Sequence, residues 1–332
     1  MKLNLNKILS IFKLNKNNSF ISKFDKSYEI IFSYSEFMHL KNKTFLYDIS
    51  EEKKYCIFCL RKRPLATFED NSHVIPYSLG NEFLFHKQEC IDCNKIFGDT
   101  IESELASFIT KYRIINGAKN RNKKNPGFLK YQNKNQNAFL KMNQENNRYN
   151  LEVSGKNTTD VFQEIENDKI SLIFETKYRD SDVYKALMKS IYGVIPAENR
   201  KDFTLLRKWI NTEDHNVKLI SKLIMYQTIL PTIHPNNLVF NVFKRKNSLK
   251  NNLFKRNYFK YFALIGYGNM FLDIPLISDD VIGKTNLKLT LLSSITISNK
   301  GAIQTMLDMS NTVKRDEKTN LSFTFEEKIP RS

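Results

Sequence analysis

The sequence predicts an α+β fold in which a small cysteine-bearing core precedes a longer, mixed α+β accessory region. Two observations predict the core: all four cysteines of the 332 residues lie between positions 56 and 93, and an amphipathic helix follows them. A third observation predicts the accessory region, because short β-branched and aromatic segments alternate with helical segments after residue 138.

Composition divides the chain into four regions. Residues 1–50 are rich in Lys and Asn and predict an N-terminal arm with a short element that packs on the rest. Residues 51–118 form the core, and the polar, basic residues 119–137 predict a loop or linker. Residues 138–332 form the accessory region. Its predicted strands are 138–142, 149–153, 170–175, 238–243, 258–266 and 287–298, and its predicted helices are 182–194, with Ser181 or Asp180 as N-cap, and 201–210.

The core helix is predicted from apolar residues that recur at intervals of four, three, four and three positions. This spacing places them on one face of an amphipathic helix. They are Ile101, Leu105, Phe108, Tyr112 and Ile115.

Positive charge is concentrated in two stretches. The chain carries 52 Lys and Arg against 35 Asp and Glu, a formal net charge of +17. Residues 111–148 hold ten Lys or Arg and one acid (+9), and residues 244–260 hold seven and none (+7). Because biased codon usage would raise Lys throughout, this clustering indicates an anionic partner, with nucleic acid first and an anionic membrane surface second.

Several protein classes are excluded by composition. Four cysteines in a chain of this length do not form a disulfide scaffold. The apolar runs are too short for a membrane helix, and the apolar stretch near the N-terminus is too short for a secretion signal. We therefore expect a cytoplasmic protein without a membrane segment.

The cysteines form two pairs, Cys56-Ile-Phe-Cys59 and Cys90-Ile-Asp-Cys93, separated by thirty residues. Two such pairs can bring four thiolates to one tetrahedral ion, and zinc is the usual occupant. The alternative of two redox dithiols lacks a thioredoxin-like βαβ context. We predict a structural zinc site, which can supply on the order of 10–16 kcal/mol of folding free energy.

Histidine and asparagine residues lie in a distinctive order around these pairs. Ser72-His73-Val74-Ile75-Pro76 and then Leu79-Gly80-Asn81 stand between the pairs, and Asn94 follows Cys93 directly. This order resembles the HNH, or ββα-metal, endonucleases, most closely the four-cysteine zinc type found among stand-alone bacterial proteins. The resemblance covers residues 54–115, and residues 183–189 also resemble, weakly, a segment that follows HNH domains in that group.

The resemblance implies a zinc-stabilised ββα-metal core that hydrolyses phosphodiester bonds in DNA, with RNA still open, and a role in defence against phage. His73 would take the proton of the attacking water, a task suited to a neutral imidazole. Asn94 would offer its side-chain oxygen to a catalytic Mg²⁺ or Mn²⁺. The two β elements would be the His73 segment and residues 83–88.

One position departs from the family pattern, because Ser72 stands where an Asp or Glu usually binds the catalytic metal. Three outcomes stay open: Glu69 or Asp70 reaches the ion, Ser72 binds it weakly or through water, or the site is degenerate. Asp99 and Glu102 near the start of the helix offer further carboxylates.

The middle residue of the His-Asn-His triplet is also open. Asn81 or His86 could orient His73 or contact phosphate. Asn81 equally suits a structural role in a turn after Gly80. His86 equally suits a position on a short strand without a catalytic role.

Phosphate contacts are expected from basic residues on the core helix and directly after it. These are Arg113, Lys119, Arg121, Lys123 and Lys124. The second basic stretch contains aromatic residues such as Phe243, which are more typical of strand cores with lysines on the exposed face.

An alternative to the enzyme is a degenerate HNH core that serves as a zinc-containing nucleic-acid-binding or sensor protein. A homodimer, and a regulatory partner or ligand bound through the accessory region, are further expectations. The regulatory expectation arises because an unrestrained nuclease would damage its own cell, and dimerisation is one of the roles open to the accessory region.

Overall fold

The computed structural model describes residues 27–35, 43–46, 49–68, 72–118, 130–132, 138–145, 148–166, 168–231, 238–246, 259–282 and 301–326. Within these ranges the protein is a mixed α and β structure. No helix among them is both long and apolar enough to cross a bilayer.

The described residues form short strands and four α-helices. The strands are β1 (Tyr28–Ser35), β2 (Thr44–Leu46), β3 (Leu84–His86), β4 (Lys130–Gln132), β5 (Ala138–Glu145), β6 (Arg148–Gly155), β7 (Phe162–Glu166), β8 (Lys169–Tyr178), β9 (Ile224–Ile229), β10 (Leu238–Arg245), β11 (Tyr261–Tyr267), β12 (Met270–Leu276), β13 (Ile303–Asp308) and β14 (Arg315–Thr324). The helices are α1 (Ile91–Asp99), α2 (Ile101–Ile115), α3 (Asp180–Val194) and α4 (Thr204–Ile210).

A six-stranded antiparallel sheet has the order β1-β10-β11-β12-β9-β13. Strands β11 and β12 are buried along their whole length. The continuous apolar sequence of β11 is typical of a buried strand, whereas β12 also buries Asp273. Two smaller antiparallel sheets have the orders β14-β8-β7 and β4-β5-β6, and β2 pairs with β3 in parallel.

Helix α3 is buried along its whole length. Helices α2 and α4 pack against it, and the Tyr184 hydroxyl donates to the Pro275 carbonyl of β12 at 2.7 Å. A helix buried on all sides must pair its charged side chains. The pairs are Asp180 with Arg315 at 2.9 Å, Asp182 with Arg179 at 2.6 Å, Lys185 with the Thr212 carbonyl at 3.0 Å, and Lys189 with Glu89 and Glu102, each at 2.9 Å.

The predicted core and accessory region share one hydrophobic interior in the described residues. The apolar face predicted for the core helix is confirmed, since all five of its residues are buried in α2. That helix packs on α3 and β8. Gly80 lies against the Tyr267 ring, and β1, from the region predicted as an arm, pairs with β10. The two regions are therefore interlocked.

Most strand predictions in the accessory region correspond to β5, β6, β8, β10 and β11. The helix predicted at 182–194 is α3, but its N-cap is Arg179, and the predicted caps Ser181 and Asp180 lie inside the first turn. The Asp180 carboxylate instead binds the Arg315 guanidinium.

The helix predicted at 201–210 begins as a 3₁₀ segment, Ala197–Phe203, and continues as α4. The predicted strand at 287–298 and most of the predicted linker lie outside the described residues.

Candidate metal centre and active site

The four cysteine sulfurs converge, all within 4.8 Å of one another. Cys56 Sγ lies 3.7 Å from Cys93 Sγ, and Cys59 Sγ lies 3.7 Å from Cys90 Sγ. A zinc–sulfur bond of about 2.3 Å gives a tetrahedral edge of about 3.8 Å. The donor set and its spacing therefore fit a structural zinc ion.

The first cysteine pair is held by a tight main-chain turn. The Leu60 amide donates to the Cys56 carbonyl at 2.8 Å, and the Cys56 amide donates to the Arg61 carbonyl at 2.9 Å. Leu60 has a φ of 64°, the left-handed region that a leucine rarely adopts. This turn directs both thiols of the pair to the same side.

The second pair is held by the start of α1. Cys90 precedes the helix, Cys93 lies in its first turn, and the Asn94 amide donates to the Cys90 carbonyl at 3.0 Å. The Ile57 amide donates to the Gln88 carbonyl at 2.9 Å, which joins the two pairs through the main chain.

Arg61 lies beside the four-cysteine cluster. Its Nε donates to Cys59 Sγ at 3.3 Å, and a terminal nitrogen lies 2.9 Å from the Asp92 carboxylate. The hydrogen bond to the Cys59 sulfur raises the pKa of the Arg61 guanidinium above its usual range. A fixed positive charge at this position offsets part of the negative charge of four thiolates.

His73 lies on one side of a short antiparallel hairpin. It forms a single β-bridge with Phe85 of β3, so the predicted His73 strand is reduced to one bridge. The His86 amide donates to the Ser72 carbonyl at 2.8 Å, and the His73 ring lies 4.7 Å from the Phe85 ring. The half-buried imidazole is thus oriented by β3, which leads into the second cysteine pair.

Asn81 closes the loop of this hairpin. Its side chain is fully buried, and its amide nitrogen donates to the Ile75 and Leu84 carbonyls at 2.7 and 2.8 Å. Its side-chain oxygen accepts the Phe83 and Leu84 amides at 3.3 and 2.8 Å. Asn81 therefore holds the turn, as one of the two sequence interpretations expected.

His86 is also fully buried, and its Nδ1 accepts the Gln88 amide at 2.9 Å. Burial lowers the pKa of His86 well below its usual value, so the ring is neutral. In this structure neither His86 nor Asn81 reaches the solvent, where a phosphate would bind.

Residues 56–108 match the family model of the HNH endonucleases. The match begins at Cys56, includes His73 and Asn94, and ends within α2, so the predicted resemblance is confirmed. No curated protein and no solved structure matches the chain.

Asn94 and Ser72, the predicted ligands of a catalytic ion in this HNH segment (residues 56–108), have different environments. Asn94 is exposed on the first turn of α1, next to the four-cysteine cluster. Ser72 is 3% exposed, and Asp70 lies outside the described residues. Among the residues that the structure describes, the four cysteines form the one convergent group of three or more His, Cys, Asp or Glu donors.

A buried ion cluster behind the HNH segment was not predicted. Lys189 of α3 lies 2.9 Å from both Glu89 and Glu102. Burial lowers the pKa of Lys189, but the two carboxylates outweigh burial and hold it above its usual value. Glu102, considered above as a metal ligand, is therefore paired with a lysine. The sequence signals near this cluster were the weak resemblance of residues 183–189 and the candidate carboxylate Glu102.

The basic residues are only partly described. Arg113 is half-buried on α2, and the other predicted phosphate contacts, Lys119, Arg121, Lys123 and Lys124, lie outside the described residues. In the second basic stretch, Phe243 is buried, Lys244 donates to Asn199, and Lys260 pairs with Asp202 at 2.7 Å. These contacts favour a structural role for the described ends of that stretch.

Proposed function

We propose that the protein is a metal-dependent HNH endonuclease that hydrolyses phosphodiester bonds in DNA, with His73 as general base and Asn94 as a ligand of a catalytic Mg²⁺ or Mn²⁺. One observation carries the proposal. His73 lies on a hairpin that leads into a four-cysteine cluster, and the whole arrangement falls within the segment that matches the HNH family.

Each residue in this proposal has a chemical task. The half-buried His73 imidazole accepts the proton of the attacking water, and its ring is oriented by Phe85. A bound divalent ion stabilises charge on the scissile phosphate. The exposed Asn94 side chain can supply an oxygen ligand, and the cysteine cluster holds the first turn of α1 on which Asn94 lies.

The substrate and setting are part of the same proposal. Within the +9 stretch, Lys111 and Lys141 pair with Glu317 and Glu152, so the support for a polyanionic substrate comes from the other Lys and Arg residues of that stretch. A cytoplasmic role in defence against phage, a homodimer, and a regulatory ligand on the accessory region extend the proposal, with the family resemblance and the size of that region as their support.

The test is plasmid cleavage by zinc-loaded protein with added Mg²⁺ or Mn²⁺. His73→Ala should lower the cleavage rate by about 10²–10⁴-fold, since a general base is removed. His215→Ala is the matched control, because His215 pairs with Asp182 outside the HNH segment and should retain cleavage. Intact plasmid with every protein and metal would contradict the enzyme proposal. Equal cleavage by wild type and His73→Ala would contradict the assignment of the base.

A second candidate function is a catalytically degenerate nucleic-acid-binding protein. The observation that favours it is Ser72, a neutral and almost completely buried residue at the position of the usual metal-binding acid. This candidate predicts salt-sensitive DNA binding without cleavage, and the same binding by His73→Ala.

A further inference from the structure

Lys189 is a buried cation at the junction of the HNH segment and the accessory region. Its side chain is 1% exposed, and Glu89 beside it is 0% exposed. Glu102 contributes a second carboxylate and is 20% exposed. Lys189 Nζ also lies 3.5 Å from the His73 carbonyl oxygen. One ammonium group therefore contacts three separate parts of the HNH segment.

The same ammonium lies against both metal-binding elements. It is 5.7 Å from the centre of the Phe58 ring, which stands between Cys56 and Cys59. It is 5.5 Å from the centre of the Phe97 ring on α1. Glu89 immediately precedes Cys90, so the carboxylate that Lys189 binds is attached to the second cysteine pair. A displacement of this ammonium would therefore change its contacts with the His73 hairpin and with both cysteine pairs.

Stability alone does not explain a buried ion cluster of this kind, because such clusters contribute little net free energy to folding. Taking charges out of water costs several kcal/mol per ion, and well-packed apolar side chains often replace such clusters without loss. The hydrogen bonds of such a cluster can, by contrast, fix the relative positions of the groups that accept them, because an ammonium group has three N–H donors. Lys189 donates hydrogen bonds to the Glu102 carboxylate at 2.9 Å and to the His73 carbonyl at 3.5 Å, and it forms an ion pair with Glu89 at 2.9 Å.

We propose that Lys189 is a positioning residue for catalysis: it fixes the His73 main chain relative to the second cysteine pair and α2, and so sets the direction of the imidazole. This inference rests on the proposed nuclease function. It means that the accessory region completes the active site, because the cation comes from α3 and the groups that it positions come from residues 73–102.

The test compares full-length, zinc-loaded variants in plasmid cleavage, with kcat, KM, zinc content and Tm measured for each. Lys189→Met keeps an unbranched side chain that is one atom shorter, and it removes the charge. Lys185→Met is the matched control, because Lys185 is 2% exposed on the same helix, one turn earlier, and its ammonium contacts Thr212 and Trp209 instead. Lys189→Arg retains the charge.

We expect Lys189→Met to lower kcat by about 100-fold, because a displacement of about 1 Å at a reacting group has an effect of this size. KM and zinc content should stay near their wild-type values. Lys189→Arg should recover part of kcat, and Lys185→Met should lower Tm but leave kcat unchanged.

A second variant keeps the proposal testable if Lys189→Met does not fold. Lys189→Met with Glu89→Gln removes the fully buried carboxylate that would otherwise lack a cation, and the partly exposed Glu102 can be hydrated. We expect this double variant to fold and bind zinc but to retain the low kcat.

Three results would overturn the inference. The first is wild-type kcat in a folded, zinc-loaded Lys189→Met or in the double variant. The second is an equal loss of kcat in Lys185→Met, which would indicate a general effect of stability. The third is a double variant that also fails to fold, which would make Lys189 structural. A wild-type protein that does not cleave DNA would instead contradict the proposed function itself.

Discussion

Single residues determine whether the candidate site can hold a catalytic ion. Asn94 is exposed beside the cysteine cluster, and Ser72 is 3% exposed next to His73. A buried hydroxyl is tolerated with or without metal, whereas a buried carboxylate requires a cation or a proton. Position 72 can therefore be used to detect the proposed ion directly.

Ser72→Asp should lower Tm in zinc-loaded protein without added Mn²⁺, because the new carboxylate is buried without a cation. Added Mn²⁺ should then raise Tm and the cleavage rate, since an ion that binds only the folded state stabilises it. Ser72→Asn is the matched uncharged control. If Mn²⁺ shifts the Tm of the two variants equally, position 72 does not contact the ion.

The sequence was sufficient to predict the cysteine cluster, because its four members fall in two pairs between positions 56 and 93. His73 and Asn94 lie in the same short part of the chain, and their catalytic roles stay predictions. Lys189 could not be found in this way, because it is 87 positions from Glu102 and its role depends on tertiary packing. Burial of His86 was likewise not predictable, since it results from α3 packing behind β3.

Among the structural elements, the loop between His73 and β3 depends on a close contact with the accessory sheet. Gly80 has a φ of 88°, and a Cβ at this position would lie 2.8 Å from the ring of Tyr267, which is itself buried. Both the left-handed conformation and the close approach require glycine. The loop that places His73 is thereby docked on β11.

Gly80→Ala should lower the free energy of unfolding by about 2–3 kcal/mol, because the left-handed conformation and the steric overlap both add cost. Gly98→Ala is the matched control. A Cβ there meets nothing within 4 Å, and α1 should gain about 0.5–1 kcal/mol from the change. Chemical denaturation of the zinc-loaded proteins measures both values. Equal stability of the two variants would contradict the proposed docking of the loop.

Element types were predicted more reliably than element partners. The alternating and apolar segments indicated β5, β6, β8, β10 and β11, and periodicity indicated α2 and α3. The pairing of β1 with β10 was not indicated, because sequence patterns define which face of a strand is apolar but not its neighbour.

At the scale of the whole molecule, an ion pair joins α2, the helix in which the HNH segment ends, to β14, the last described strand. Lys111 of α2 binds Glu317 of β14 at 2.7 Å and Thr319 at 3.0 Å, and its side chain is 5% exposed. Burial raises the pKa of Glu317, but the charge and hydrogen bond of Lys111, together with Tyr178 and Arg315, outweigh burial and leave that pKa below its usual value. The pair therefore stabilises the fold when Glu317 is ionised.

This pKa shift predicts a pH dependence. Since the folded-state pKa of Glu317 lies below its unfolded value, its contribution is present above about pH 4.5 and is lost as the pH falls through the folded-state pKa. Glu317→Gln should lower the free energy of unfolding by about 3 kcal/mol at pH 7, because Lys111 is left buried without its partner. The difference from wild type should shrink at low pH.

Glu166→Gln is the control for this prediction. Glu166 also pairs with a lysine, Lys169, at 2.6 Å, but the pair is exposed and should contribute less than about 1 kcal/mol. Denaturation curves recorded across acidic and neutral pH measure both variants. A stability difference between Glu317→Gln and wild type that does not change with pH would contradict the assignment.

The burial of α3 has a consequence for the order in which the chain folds. The four cysteines are synthesised long before Lys189, and β1 is synthesised long before β10. Contacts between residues so distant in the chain form late, because closing long loops costs entropy. The growing chain can therefore bind zinc early, while the hairpin that carries His73 is fixed only after α3 has been made. We expect zinc binding to precede the docking of this hairpin on α3 as each molecule folds.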